Sequence, residues 1–461
     1  MGANSNSPKS SSVKKMKSNT LKSLLQHDSM HSGIRLLHRS SEHDKILSLI
    51  SCCAYYTYAF SDPSSSESPL LHSFIKLLAV LKPMAKGKGQ GQGPGPCLPD
   101  EILSPLFTMT QDHLFRPLPP PNTSITCILP DDDDLIATPS AAWPHLQHVY
   151  DILLCLVANM DSKTLGEYIK ESFILNLLAL FKSDDPRERE RLKNVYHRIY
   201  SKLHGLRSFM RKAMNDVFLH YTFEGDERHA GIGDLLEICG TIINGFSVPL
   251  KEEHRIFLMR VLMPLHRPKG MQAYHKQLAY CVYQFVQKEP LLGVAVVRGI
   301  LRYWPITNCQ KEVVLIGELE DLVENMEILE YKAVALPLCK RITKCFNSPN
   351  SQVAERALYM WNNERFVKMA LQAAEEVLPV VVGGMEENLR GHWSKSVRQL
   401  TQNVKEMLVE MEPLLYSSCL SQFHHSRSEA ETRRQERWER LEMEFNAIQF
   451  IQEYLTSSLP D

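Results

Sequence analysis

The sequence predicts an all-α protein, and three observations support this prediction. From about residue 141 to about residue 455, almost every segment places apolar residues at i, i+3, i+4 and i+7, which is the spacing of one helix face. The breaks between these segments are short and carry Pro, Asn, Ser or Gly, and the alternating pattern of a strand is almost absent. A proline flanked by apolar residues also recurs along the second half of the chain.

The recurring proline indicates a repeated helical pair. It occurs in LMPLH, RYWPI, ALPLC, VLPVV and MEPLL, at Pro264, Pro305, Pro337, Pro379 and Pro413. The intervals are typical of HEAT and armadillo repeats, in which each pair buries its apolar face against the next pair. A solenoid of helical pairs is therefore favoured, and a compact helical bundle is the alternative.

The N-terminal part divides into two predicted regions. Residues 1–43 are basic and Ser-rich without helical periodicity, which predicts a disordered arm. Residues 44–140 carry helical segments that are interrupted by the Gly/Gln/Pro stretch 86–97 and by a long loop with the acidic run 131–134. This acidic run is interpreted as a solvated surface.

The rest of the chain is predicted as a helical solenoid, 141–425, followed by a charged C-terminal helix and tail, 426–461. Within the solenoid, DDPRERERLKNVYHRIYSKL offers Asp185 as an N-cap and Pro186 as the first helical residue. The apolar stripe of this helix consists of Leu192, Val195, Ile199 and Leu203. The segment VGGMEENLRGHW places two glycines, 383 and 384, where a helix is expected to begin, which predicts less regular late repeats.

Composition excludes a role based on bulk charge. The 461 residues carry a formal net charge of −1, so any recognition by charge has to be local. The 11 cysteines are scattered without a CxxC pair, and no apolar run reaches the length of a membrane span or a signal peptide. These features favour reduced thiols in a cytoplasmic or nuclear protein, bound neither to nucleic acid nor within a membrane.

Motifs for catalysis or for cofactors are not found. The chain has no GxxxxGK[ST], GxGxxG after a strand, HExxH or GxSxG motif. His145 and His148 have the spacing of metal ligands, but no third ligand is nearby, so no metal is predicted. The segment FEGDERHAG partly resembles the GDxHG element of metallophosphatases, but its histidine is displaced by one residue, and it is interpreted as a charged loop between helices.

Three neighbouring helical segments concentrate cations beside apolar residues. His197, Arg198, Tyr200 and Arg207 belong to the first, and Lys251 and His254 begin the third at a spacing of i, i+3. The middle segment, DLLEICGTIINGF, has a wider apolar arc than one packing face requires. One stripe of this arc consists of Leu236, Cys239, Ile243 and Phe246, and a second stripe consists of Leu235, Ile238 and Ile242.

Two interpretations of this concentration remain open from the pattern alone. In one, the second stripe packs on the next repeat, and the cations form a solvated face with partners such as Glu252 and Glu253. In the other, the stripe is the floor of an apolar groove with a cationic rim. Such a groove suits a short peptide that carries aliphatic anchors and a carboxylate or phosphate.

Several long segments of the chain resemble the B-prime family of regulatory subunits of protein phosphatase 2A. They include AAWPHLQHVYDILL, DDPRERERLKNVYHRIYSKLHGLRSFMRKAMNDVF, LLEICGTIINGFSVPLKEEHRIFLMRVLMPLHRPK, LRYWPITNCQKEVVLIGELEDLV and SQVAERALYMWNNE. The resemblance is close over about 141–445 and looser toward the N-terminus. It implies a curved solenoid of HEAT-like helical pairs and a non-catalytic regulatory role without a cofactor.

The resemblance also implies partners and a binding groove. The expected partners are the scaffold and catalytic subunits of the phosphatase and substrate proteins that carry short LxxIxE motifs. The residues of this chain that match the groove of the family are His197, Arg198, Tyr200, Arg207, Ile238, Ile242, Lys251 and His254. The isoleucines and the tyrosine ring are expected to receive the aliphatic anchors, and the histidines, arginines and lysine are expected to meet the acidic positions.

Two other function classes are kept as alternatives. The first is a helical-repeat adaptor or scaffold without phosphatase partners. The second is an enzyme in its own right, which is disfavoured because no nucleophile, metal cluster or cofactor loop is recognised in the sequence. The charged segment SRSEAETRRQERWERLEMEF is interpreted as a solvated helix.

Overall fold

The structure, a computed structural model, describes residues 42–54, 69–86, 98–118, 142–224 and 229–457. Over these ranges the chain forms helices and turns and no strand, which confirms the all-α prediction. None of the helices in these ranges is long and apolar enough to cross a membrane. Residues 1–41 of the predicted arm, the Gly-rich segment beyond residue 86 and the acidic run 131–134 lie outside the described residues, and the last two residues of the arm belong to the first helix.

The chain divides into two compact units, Met1–Arg207 and Ser208–Asp461. The described helices of the first unit are α1 Glu42–Ala54, α2 Pro69–Lys86, α3 Asp100–Leu114, α4 Trp143–Asn159, α5 Ser162–Tyr168, α6 Glu171–Leu180 and α7 Pro186–Lys202. Helix α1 packs on α2 and α3, both of these pack on α4, and α4 packs on α7. Each helix therefore buries one face against a neighbour.

Helix α7 begins and packs as predicted. The Asp185 carboxylate accepts a hydrogen bond from the backbone N–H of Arg187 at 2.9 Å, and Pro186 is the first helical residue. The stripe Leu192, Val195 and Ile199 is completely buried. Since apolar residues at this spacing share one face, the opposite face of α7 is left for polar side chains.

A buried carboxylate fixes α7 within its unit. Glu188 accepts two hydrogen bonds from the Arg116 guanidinium, both at 2.9 Å, and one each from the hydroxyls of Tyr150 and Ser183. Every oxygen of this buried carboxylate thus has a partner, which is the condition for burying a charge at acceptable cost. The cluster joins the segment after α3 to α4 and α7.

The second unit is built of two rows of helices. Its helices are α8 Arg207–Phe223, whose first residue belongs to the first unit, α9 Ile232–Asn244, α10 Glu252–Phe257, α11 His275–Lys288, α12 Leu292–Arg302, α13 Cys309–Glu324, α14 Ile328–Lys332, α15 Ala335–Phe346, α16 Ser351–Tyr359, α17 Glu364–Leu371, α18 Ala374–Gly391, α19 Lys395–Met411 and α20 Pro413–Ser457. In one row α9, α11, α13, α16 and α19 pack successively, and in the other α12, α15, α18 and α20 do so. This succession is the packing of a helical-pair repeat.

The late repeats are more regular than the sequence predicts. Helix α18 begins at Ala374 and runs without interruption through both glycines at 383 and 384, so the expectation that a helix begins there is wrong. Gly384 is instead needed for close packing on α15, because an added Cβ would overlap Cγ2 of Thr343. The Gly384 carbonyl also accepts a hydrogen bond from Asn347 at 3.0 Å. The predicted boundary at 425/426 lies within α20.

A buried polar cluster joins the segment before α11 to α13. The Nε2 atoms of His266 and His275 donate to the two oxygens of Glu318 at 3.1 and 2.9 Å, and Nδ1 of His266 donates to the Met263 carbonyl at 2.9 Å. The Lys311 ammonium donates to three backbone carbonyls of residues 266–268. Because both ring nitrogens of His266 face acceptors, this buried histidine is an imidazolium paired with the Glu318 carboxylate.

Candidate functional site

The first unit carries two of the predicted cations on the open face of α7. His197 and Arg198 are exposed, whereas Val195 and Ile199, on the opposite face, are buried. Within the described parts of the chain, neither the His197 imidazole nor the Arg198 guanidinium has a hydrogen bond or an ion pair. Two unpaired side chains at adjacent positions can therefore meet an incoming anion without first losing an internal partner.

Arg207 has a structural role at the end of α7. Its Nε donates to the Tyr200 carbonyl at 2.9 Å, and its Nη2 donates to the Ser201 carbonyl at 3.0 Å. The guanidinium also lies over the Tyr200 ring, 5.3 Å from its centroid. A cation at these carbonyls stabilises the C-terminal end of a helix. Arg207 therefore orients Tyr200. Two nitrogens of the Arg207 guanidinium already donate hydrogen bonds within the chain.

The second unit carries both predicted isoleucines on α9, and they differ in access. Ile238 is only 3% exposed, and Ile242 is 8% exposed and lines a pocket. The other stripe of α9 packs on α11, where the Cys281 thiol donates to the Leu236 carbonyl at 3.2 Å. Both stripes of α9 are thus largely buried, and only the end near Ile242 opens to a ligand-sized space.

This pocket has a volume of about 170 Å³. Cavities of about 150 Å³ lined by aliphatic and aromatic side chains accept a benzene-sized group, so the pocket has room for one leucine or isoleucine side chain. Its apolar lining comes from Met214, Cys239, Ile242, Ile243, Phe246 and Phe257, and its polar lining comes from Ser208, Arg211, Lys212, Asn215, Glu253 and His254. An apolar floor and a cationic edge are thus combined within the second unit.

Lys251 and His254 lie at the start of α10 but differ in exposure. Lys251 occupies the N-cap position and is exposed, whereas the His254 side chain is 10% exposed. The His254 ring stacks on Phe246, with the ring centroids 3.7 Å apart and the planes nearly parallel. Burial lowers the pKa of His254 below its ordinary value, and the nearby Arg211 and Lys251 lower it further against the opposing effect of Glu253. His254 is therefore a neutral imidazole at pH 7, and not the cation that the sequence interpretation assumed.

Sequence reasoning missed the contribution of α8 to the pocket. Arg211 and Lys212 supply the positive edge and Met214 supplies part of the apolar wall. The signal was present, because Arg211 follows Arg207 by one helical turn and the buried Met210 and Met214 mark the apolar side of α8. Glu252 forms an ion pair with Arg255, and Glu253 lies 3.5 Å from the neutral His254 ring. In the described ranges neither glutamate pairs with Lys251.

The described residues contain no cluster of three or more His, Cys, Asp or Glu side chains with the geometry of a metal site. The two histidines of HLQH lie on α4, and His145 is buried. The polar lining of the pocket consists of two cations, a carboxylate, an imidazole, an amide and a hydroxyl beside an apolar floor, which suits the binding of a side chain.

Comparison with known proteins decides the family. The family model of the protein phosphatase 2A regulatory B subunit (B56 family) matches residues 36–445. The chain belongs to the B56 family. The match includes the whole of the divergent region 44–140 and ends within α20. Membership in the B56 family makes the chain a non-catalytic regulatory subunit of protein phosphatase 2A, and it removes the alternative of an adaptor without a phosphatase partner.

Curated relatives of this B56 chain carry corresponding names. It is 45% identical over 342 residues to the B' alpha isoform of the 57 kDa regulatory subunit of serine/threonine protein phosphatase 2A from Arabidopsis thaliana, and the match covers 72% of this chain and 68% of that protein. It is 42% identical over 396 residues to the B' kappa isoform of the same plant, with 85% and 77% covered. The B' kappa isoform of Oryza sativa subsp. japonica is 39% identical over 396 residues, with 85% and 76% covered.

Proposed function

We propose that this B56 subunit recruits substrates with short acidic LxxIxE-type motifs to the phosphatase, docks on its scaffold and catalytic subunits, and so sets its specificity. The observation that carries the proposal is the pocket of the second unit, where Ile242, Phe246 and Phe257 form an apolar floor beside Arg211 and Lys212. An aliphatic side chain of a peptide can fill this floor while an acidic neighbour meets the cations. In the first unit, the exposed Arg198 guanidinium presents a positive charge, and the exposed His197 imidazole presents a hydrogen-bonding group.

The expected energetics suit a reversible interaction. One buried aliphatic anchor contributes roughly 1.5–3 kcal/mol before ordering costs. Each exposed charged contact adds about 0.2–1 kcal/mol, and such contacts mainly fix the register and exclude uncharged peptides. Since Arg207 is already bonded to two carbonyls, we expect His197 and Arg198 to contribute more to acidic positions than Arg207 does.

The test is peptide binding by the full chain, measured by fluorescence anisotropy with a labelled LxxIxE peptide. The double variant His197→Ala/Arg198→Ala is expected to lose most of the binding and to keep the wild-type thermal midpoint, because both side chains are exposed. A matched control is His424→Ala/Arg427→Ala, which removes the same two residue types from the exposed face of α20. Equal affinity of the first double variant and the wild type would contradict the assignment of these residues.

The assembly proposal is tested separately. Tagged wild type and the His197→Ala/Arg198→Ala variant are each expected to capture the scaffold and catalytic subunits, since recruitment of substrates uses a different surface.

We also propose that the protein acts in the cytoplasm, the nucleus or both. Free thiols at the described cysteines support a reducing compartment. Fractionation of cells that express the tagged chain tests this location.

A further inference from the structure

His254 lies in the pocket without the hydrogen bonds that usually hold a buried histidine. Its Nδ1 is buried and has no partner among the described residues. Its Nε2 lies 3.5 Å from Oε1 of Glu253, which is longer than a well-formed hydrogen bond. The ring is held by stacking on Phe246. A buried ring nitrogen without a partner is unfavourable, so a ligand group that enters the pocket and reaches this ring supplies a hydrogen bond that the described residues do not.

The charges around the ring keep it neutral while the pocket is empty. Arg211 from α8 and Lys251 at the N-cap of α10 both oppose a second positive charge on the imidazole. Lys212 also lines the pocket, and the buried Cys239 thiol there is uncharged, since burial raises its pKa. Glu253 is the acidic group beside the ring, and it lies on α10 next to His254 in the chain. Among the described residues around the ring, the positive groups Arg211, Lys212 and Lys251 thus outnumber the single carboxylate of Glu253, and the ring is largely shielded from water.

An acidic side chain that enters this pocket favours the charged form of the His254 ring over the neutral form. A carboxylate beside the imidazole attracts the charged form of the ring, and it also offsets the repulsion from Arg211 and Lys251. A neutral imidazole presents one N–H donor, whereas the imidazolium presents two, so protonation adds a donor where a carboxylate can accept it. The proton comes from solvent and returns to solvent when the peptide leaves.

We propose that His254 recognises the acidic residue of a recruited segment by taking up a proton, so that substrate recruitment through this pocket is linked to pH. This inference rests on the proposed function and adds a regulation to the same site. Binding is expected to tighten as the pH falls through the pKa of His254 in the complex and to level off below its pKa in the free protein. A Lys or Arg at this position would bind with constant charge, whereas the histidine makes the affinity adjustable.

The experiment uses the full chain and two synthetic peptides, an LxxIxE peptide and its analogue with Gln in place of the Glu. Titration calorimetry at pH 7 in two buffers with different ionisation enthalpies counts the protons taken up. Anisotropy between pH 8 and pH 5.5 gives the affinity, over a range in which the peptide carboxylate stays ionised. For the wild type and the Glu peptide we expect net proton uptake and an affinity that rises by about threefold to tenfold on acidification.

The variant His254→Gln keeps a neutral polar side chain and cannot become charged. With His197 also replaced by Gln, so that no other histidine of the proposed groove can take up a proton, it is expected to bind the Glu peptide without the pH-dependent gain. The Gln peptide is expected to show no gain with the wild type. Wild-type binding without proton uptake, or the same pH profile in His254→Gln, would overturn the inference and leave the proposed function standing. No binding of the Glu peptide at any pH would overturn both. Because proton counting in His197→Gln leaves His254 unchanged, the test holds even where His254→Gln is unstable.

Discussion

Two buried histidines of the second unit have opposite environments. His266 donates from both ring nitrogens, to the Met263 carbonyl and to the Glu318 carboxylate, and its pKa is raised because Glu318 outweighs the effect of burial. His254 has a stacked Phe246, an unpartnered Nδ1 and a lowered pKa. Burial penalises the charged form in both cases, and the partner on the ring decides which form is present.

The difference distinguishes His266, which stabilises the fold, from His254, which is available to a ligand. At His266 every polar atom of the cluster has its partner, as expected where a charge holds helices together. His254, in contrast, has a ring nitrogen without a hydrogen-bond partner and lies beside an open pocket. Satisfied polar groups stabilise a fold, whereas unsatisfied ones at a pocket are available to a partner.

The largest expected effect comes from breaking the satisfied cluster. Glu318→Gln removes the negative charge that compensates the His266 imidazolium. It also replaces a carboxylate, whose two oxygens accept hydrogen bonds from His266 and His275, by an amide with only one oxygen. We expect a loss of about 3–5 kcal/mol in the free energy of unfolding, as for other buried pairs that lose one partner. Urea denaturation followed by circular dichroism measures it.

The matched comparison is His254→Gln, for which we expect a loss of about 1 kcal/mol or less, since its ring forms no well-formed hydrogen bond with any of the described residues. Equal losses in the two variants would show that the distinction between the two histidines does not hold.

A smaller effect is expected where two successive helices of one row, α15 and α18, are in close contact. Gly384→Ala places a Cβ against Thr343 of α15, and overpacking of this kind costs about 1–3 kcal/mol. Gly391→Ala, at the end of the same helix, meets nothing within 4 Å and is expected to leave stability unchanged or slightly improved. Thermal unfolding of both variants checks this difference. A destabilised Gly391→Ala with a wild-type Gly384→Ala would be the contrary result.

The smallest expected effect is on the pH dependence of stability. The folded pKa of His266 lies above its unfolded value, so its contribution is complete below the unfolded pKa and is lost as the pH rises through the folded pKa. His254 has a lowered folded pKa, so its contribution is complete above the unfolded pKa and is lost as the pH falls from there through the folded pKa. Urea midpoints from pH 5.5 to pH 9.5 should therefore respond to His266→Gln on the alkaline side and to His254→Gln on the acidic side. The same response in both variants would refute the assignment of their charges.

Much of the fold could be predicted from local patterns. The start of α7 at Asp185 and Pro186 follows from capping chemistry, and the buried stripe of that helix follows from helical spacing. Helix propensity alone mispredicts the two glycines within α18. Gly384 stays in the helix because α15 approaches it too closely for a side chain.

The candidate site was predictable as a set of residue types and less so as an arrangement. The exposed His197 and Arg198 could be recognised because they flank a buried stripe. The roles of Arg207 and the contribution of Arg211 could not, since they depend on which carbonyls and which pocket each guanidinium reaches. A spacing in the sequence states which residues can share a helix face, and not what that face contacts.

The sequence by itself determined the all-α class, the helical-pair repeat and the family, because each rests on periodicity or on long ordered segments of residue types. Only the tertiary structure decided which cations are used internally, how little of Ile238 and Ile242 is accessible, and the charge of each buried histidine. These properties depend on burial and on partners distant in sequence. The protonation of an imidazole follows from the free energy of its surroundings, and those surroundings exist only once the helices have packed.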